Sequence, residues 1–409
     1  MLREIFPKVH RFYERGPWGT ELEEFASWLQ TMEYSRHSTR GHLFRLRTVL
    51  ARMKDFSPGA VFSVIRLHEI FQSGFPPTQR VNFHATQYVY HRFLAAKARL
   101  INSAPRDRFE VCRLAYQQYL AELRGFAPST IQQHGATMQD FLSRVLGEQK
   151  MLANLTNADI ECYLLFKGPK VKRQSMQHTV AHLRSFLRYC YDRGEIGSRL
   201  DQMIDTPRTY RRELPPRALD WEVVQEFLRL VNRESRTGPR DYAILYLMAH
   251  YGLRPSEIVA LRCDSIDWKT KILHVEQCKT RSTLVLPLTE QTLEVLSNYL
   301  SKRPACGNHL EFFLRARCPG GAIKRTAVND LFEKWVRQSG LPLKGYSAYS
   351  LRHSFAMRLL TRGVGVKVIG DLLGHHSLES TCQYLRLDIN MLRQVALPVP
   401  NAEQIGGSR

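Results

Sequence analysis

Residues Tyr349 to Arg386 read YSLRHSFAMRLLTRGVGVKVIGDLLGHHSLESTCQYLR, and this stretch organises the chain. It sets an arginine (Arg352), a Leu-Gly-His corner (Leu373, Gly374, His375) and a tyrosine (Tyr384) on successive short helices, with the tyrosine nine positions after the histidine. A guanidinium fork matches the oxygens of a phosphate. An imidazole can donate or move a proton, and a phenol can attack phosphorus. One of each in a compact helical frame points to phosphodiester chemistry rather than metabolism.

The charge of the whole chain agrees. Its 409 residues carry a formal net charge of +21, with a pI of about 9.8. Such an excess calls for a polyanionic partner, and nucleic acid is the leading one. A hydrophobic fraction of 44% supplies packed cores and excludes global disorder, and the length implies two or three domains. Eight cysteines without a CxxC pair read as reduced, mostly buried thiols, with no metal site. No signal-like segment or membrane-length apolar run occurs; the apolar stretch from Tyr242 to Leu253 is too short. The expectation is a cytoplasmic, nucleoid-associated protein that makes no membrane contact.

Upstream, apolar residues recur at helical spacing: Leu22, Phe25, Trp28 and Leu29, then Leu43, Leu46, Val49 and Leu50. Ser38 and Thr39 between them are candidate caps. The pattern returns at Tyr116, Tyr119, Leu120 and Leu123, followed by Met138, Phe141 and Leu142. An offset of 91 aligns Leu29 with Leu120 and Ser38-Thr39 with Ser129-Thr130, a weak internal repeat. Residues 175–193 form a further helix through Val180, Leu183, Leu187 and Cys190, widened by Phe186 and Tyr191. The loop before it carries Lys170, Lys172 and Arg173; with Arg184 and Arg188 these are candidates for contacting DNA phosphates. DTPRTYRRELPPRAL (205–219) is a linker whose prolines forbid a long helix, and Arg208, Arg211 and Arg212 on it suit a DNA backbone.

Beyond the linker, GLRPSEIVALR (252–262) reads as a loop entering a helix at Pro255, with Glu257 in its first turn. Residues 272–276 and 284–286 alternate as strands, so a hairpin carries Lys279 and Arg281 near its turn. Helices resume at 290–300 and 327–337. The whole is mainly α with a small β-sheet: helical domains followed by a mixed α/β domain.

Taken alone, each residue has a plainer reading. Arg254 would be a helix-entry residue held by Glu257, Lys279 a solvated turn lysine, His353 a buried hydrogen-bonded support, and Tyr384 a core tyrosine. Tyr346 and Tyr349 rival Tyr384 by proximity to Arg352. His375-His376 has no partner at metal-ligand spacing. The ordered set Arg254, Lys279, Arg352, His375, Tyr384 changes the weighing. Together GLRPSEIVALR, the hairpin lysine, LRHSFA and LGHHSLESTCQY resemble the boxes of the tyrosine recombinase (phage integrase) family over residues 220–390.

By that resemblance, Arg254 and Arg352 clamp the scissile phosphate, Lys279 protonates the leaving oxygen, His375 donates to the phosphate or assists proton transfer, and Tyr384 is the nucleophile. Glu257 positions Arg254, and His353 is a support. One position departs: Tyr349 stands where the family has histidine, sometimes lysine. The implied domains are an additional helical domain (1–105), a helical core-binding domain (106–204), the linker (205–219), the catalytic domain (220–392) and a flexible tail (393–409). The resemblance implies strand cutting and rejoining through a 3′-phosphotyrosine link on double-stranded DNA, without cofactor or metal. It implies a homotetramer on two sites and partner recombinases of the same element. The ending QVALPVP resembles recombinases of transposable elements. Type IB topoisomerase-like relaxation, or a DNA-binding accessory protein with impaired catalysis, are the alternative functions.

Overall fold

A computed structural model describes residues 1–15, 17–53, 59–72, 77–101, 109–146, 150–207, 216–277, 282–304, 309–316, 320–375, 377–387 and 393. Two compact units, Met1–Glu213 and Leu214–Arg409, divide inside the proline- and arginine-rich stretch. Arg208, Arg211, Arg212, Lys279, Arg281, His376 and the tail after 393 lie outside the described residues.

In the first unit, apolar residues three and four apart put one stripe of each helix inside. Gly19–Thr31 buries Leu22, Phe25, Ala26 and Leu29; Arg36–Leu50 buries Leu43, Leu46, Val49 and Leu50. The cap of the second helix is Ser35 rather than Ser38 or Thr39. Extended backbone at Ser35 turns its hydroxyl to the Ser38 N–H at 3.2 Å, while Thr39 is buried inside the first turn.

The repeat is one of four helices. Gly19–Thr31, Arg36–Leu50, Val64–Gln72 and Pro77–Ala96 are followed by Glu110–Glu122, Pro128–Val145, Asn157–Lys167 and Arg173–Asp192, their starts offset by 91, 92, 93 and 96 residues. Each set encloses its own core, the first from Leu2 to Leu94 and the second from Tyr116 to Ile204. A short parallel ladder, Phe62–Ser63 with Leu100–Ile101, closes the first set. In Arg173–Asp192 the expected Val180, Leu183, Phe186, Leu187 and Cys190 are buried. Tyr191, in the last turn, is instead exposed beside Arg199, and Tyr189 is buried.

The second unit is built around Gly238–Tyr251, a helix buried on every side from Tyr242 to Ala249. This is the apolar run noted in the sequence. Among the described residues no helix is long and apolar enough to cross a membrane. Asp241 anchors the helix: its buried carboxylate accepts hydrogen bonds from Thr237, Arg240, Lys334 and Trp335 at 2.7–3.0 Å. Ile266–Asp267, Ile272–Gln277 and Ser282–Pro287 form an antiparallel sheet in that order, a third strand beyond the expected hairpin. The hairpin pairs Gln277 with Ser282. Helices Tyr349–Thr361 and Val366–Leu373 carry the stretch that decides the site.

Candidate active site

Two glycines set the geometry. The central helix ends at Gly252, in the left-handed region with φ +64°. A Cβ there would fall 2.5 Å from Phe355 Cδ1 and 2.8 Å from Leu373 Cδ2, so only glycine allows the approach. Val366–Leu373 ends likewise at Gly374, φ +58°, where a Cβ would fall 1.9 Å from Gln277 Nε2. The carbonyls exposed at these two corners receive the arginines.

Arg254 caps the short helix Pro255–Ala260, with proline at its first position. Glu257 accepts the Arg254 backbone N–H at 2.8 Å and its Nη1 at 2.5 Å, while Arg254 Nη2 donates to Gly374 O at 3.1 Å. Arg352 is 1% exposed and donates to Gly252 O and Leu373 O, both at 2.6 Å. Its Nη1 lies 3.8 Å from Glu257, so one buried carboxylate faces two guanidinium groups and the cluster keeps a net positive charge. Burial lowers the Arg352 pKa, since the charged form has lost its water. Its Nε is buried and has no partner among the described residues.

His375 follows the Gly374 corner. Its backbone N–H donates to Gly370 O at 2.8 Å, and its Nδ1 lies 2.7 Å from the hydroxyl of buried Thr381, which fixes the ring. Tyr384 lies in the turn just past the helix Glu379–Cys382, rather than on a helix, and is 2% exposed. Its hydroxyl is 3.0 Å from His353 Nδ1. Burial pushes the phenol up to about 12, opposed by Arg352 and Arg254. Burial, and then Arg352, push His353 down to about 4, so its imidazole is neutral near pH 7 and can accept the phenol's hydrogen bond. Tyr349 is 38% exposed, its ring 5.1 Å edge-on from His353 and 6.0 Å from the Arg352 guanidinium.

The fold thus brings Arg254, Glu257, Arg352, His353, His375 and Tyr384 together. Lys279 lies outside the described residues, though the strands that flank it end at Gln277 and Ser282. Thr381, Gln277 and the three carbonyls went unread in the sequence, because nothing in residue type marks a backbone acceptor or a packing neighbour.

In the first unit, Lys170, Lys172 and Arg173 are exposed, Lys170 lying 3.1 Å from the Phe166 ring. Arg184 donates to Ile204 O and Arg188 pairs with Asp201 at 3.3 Å, so both tie their helix to the following turn. Of the cysteines among the described residues only Cys190 is fully buried; Cys162 and Cys263 are exposed, contrary to the expectation of mostly buried thiols. Cys112, Cys190 and Glu195 hold donor atoms within 4.8 Å of one another, the one group of metal-ligand type among the described residues. Seventy-eight positions separate these cysteines in sequence, which is why spacing did not reveal them.

Residues 217–391 match the model of the phage integrase family. A chain of Sinorhizobium fredii named integrase/recombinase y4gC is 37% identical over 46% of this chain and 98% of its own length. The chain belongs to the tyrosine recombinase (phage integrase) family. It is accordingly a tyrosine-type site-specific DNA recombinase. The tyrosine recombinase XerC of Pelobacter propionicus is 27% identical over 69% of this recombinase and 92% of its own chain. The fold is shared with XerH site-specific recombinase, solved bound to a palindromic difH substrate: 17% identity, TM-score 0.55, covering 74% of this recombinase and 93% of that chain.

Proposed function

We propose that this recombinase cuts and rejoins double-stranded DNA through a 3′-phosphotyrosine intermediate on Tyr384, as four protomers on two sites, with partner recombinases of the same element as possible companions. The observation that carries this reading is the convergence of Arg254 and Arg352 on the adjacent carbonyls of Gly374 and Leu373, next to His375. An entering phosphate would take over donors now turned to backbone and would satisfy the buried Nε of Arg352. Preorganised guanidinium groups then stabilise the charge that grows on the non-bridging oxygens. By the family resemblance, Lys279 is assigned to protonate the departing 5′-oxygen.

Burial raises the Tyr384 phenol and lowers the His353 imidazole, so both shifts oppose transfer of the proton to His353. His353 therefore orients the hydroxyl instead of taking its proton. Arg352 and Arg254 already act on the phenol and favour its phenolate.

A nicked suicide substrate that loses the fragment beyond the cut tests the reading. The parent protein is expected to form a covalent protein–DNA adduct and Tyr384→Phe none. An adduct that persists in Tyr384→Phe would move the nucleophile to Tyr346 or Tyr349. Relaxation of supercoils by a monomer without strand exchange would favour the topoisomerase alternative.

A further inference from the structure

The two halves of the first unit repeat more than their order of helices. Phe25 lies 5.4 Å from Tyr90 and 5.3 Å from Phe93. At offsets of 91 and 96 the second half places Tyr116 5.2 Å from both Phe186 and Tyr189. Stacking of Phe25 on Trp28 at 6.2 Å returns as Tyr116 on Tyr119 at 6.3 Å. Buried His42, bonded to Thr86 at 3.0 Å, returns as buried His134, whose ring lies 4.0 Å from that of His182. Helices recur in any bundle, but the same ring contacts at the same offsets require the same packing. The halves are two copies of one four-helix domain.

They differ in where charge is placed. In the second copy, Arg144 of the Pro128–Val145 helix is paired with Asp140. The equivalent helix of the first copy, Arg36–Leu50, lies in a stretch (34–54) without a single Asp or Glu. Among the described residues no carboxylate pairs with Arg36, Arg40, Arg45 or Arg47; Arg36 donates to the backbone carbonyl of Glu4 at 2.5 Å, and Arg40 lies 5.3 Å from the centre of the Phe6 ring. Arg45 turns inward to Thr86 at 2.7 Å. Arg36, His37, Arg40 and Phe44 are exposed, and Arg47 continues their stripe with its guanidinium 3.4 Å from the ring of exposed Phe12. Eleven residues of helix separate Arg36 from Arg47, about 16 Å along the axis. That length is enough to reach backbone on both sides of a groove about 12 Å wide. Planar donors with exposed rings suit phosphate, and the helix itself carries no carboxylate to neutralise them.

We propose that the first half is a second DNA-docking copy of the helical domain, whose Arg36–Arg40–Arg47 face binds the phosphate backbone of double-stranded DNA in addition to the contacts of the cleavage core. The inference rests on the DNA-recombinase reading, so its test separates the two. Full-length parent and Arg36→Gln/Arg40→Gln protein would be compared for binding to a long duplex by fluorescence anisotropy across salt concentrations. The double variant leaves the Arg47–Phe12 stack intact. It is expected to lower the slope of log K against log salt by about 2 and to weaken binding roughly 10–100-fold at about 0.1 M salt. Adduct yield on the suicide substrate at saturating protein should stay at the parent level. An unchanged slope and affinity would overturn the proposal while leaving the recombinase reading intact; a parent that neither binds nor forms an adduct would remove that reading first. Should the variant keep its DNA affinity and instead lose self-association in sedimentation, the face is a protein interface and the proposal falls.

Discussion

Gly374→Ala is the substitution for which the structure specifies the most. Gly374 has φ +58°, and a side chain in that region costs about 1–2 kcal/mol. The added Cβ would also fall 1.9, 2.2 and 2.4 Å from Nε2, Oε1 and Cδ of Gln277, which is only 3% exposed and has little room to move. Either the corner or the end of the hairpin strand must shift. Leu373 O and Gly374 O hold Arg352 and Arg254, and His375 is the next residue, so a shift of the corner misplaces three groups at once. A displacement near 1 Å costs on the order of 100-fold in rate. The measurement is single-turnover adduct formation beside thermal melting. Gly340→Ala is the control: it has φ +70° but nothing within 4 Å of its Cβ, so it should lose stability by a similar strain and keep its cleavage rate. Adding Gln277→Ala to Gly374→Ala should restore part of the rate. Parent-like cleavage by Gly374→Ala, or no gain from removing Gln277, would refute the argument that packing at this corner sets the arginines.

Tyr349→His should raise single-turnover cleavage a few-fold, because a neutral phenol near Arg352 is exchanged for a donor that can carry charge, worth roughly 1 kcal/mol; a variant no faster than the parent would remove Tyr349 as a handicap. Acid should destabilise the first unit early: burial holds His42 and His182 near 4 against an ordinary 6.5, so their contribution is complete above pH 6.5 and is lost as pH falls toward 4. The loss should read as a Tm that falls from pH 6.5 to 5 and that His42→Gln makes less steep; a Tm flat over that range would contradict the assignment.

What the sequence determined by itself was whatever depends on local periodicity and on residue type. The stripe in Arg36–Leu50, the hairpin and Pro255 at a helix start were all legible, because helix and strand periods and proline's fixed backbone are local properties. The same local reading erred where two positions were equally suitable, as at the Ser35 cap, or where a helix end exposed an apolar residue, as at Tyr191. Only the tertiary structure decided what lies across space. It turned Gly252 and Gly374 into carbonyl anchors, set Gln277 against one of them and put the Tyr384 hydroxyl on His353. It also turned a weak offset of 91 residues into two matching sets of ring contacts. Contacts between residues dozens of positions apart are fixed by packing, and packing leaves no period in a single sequence.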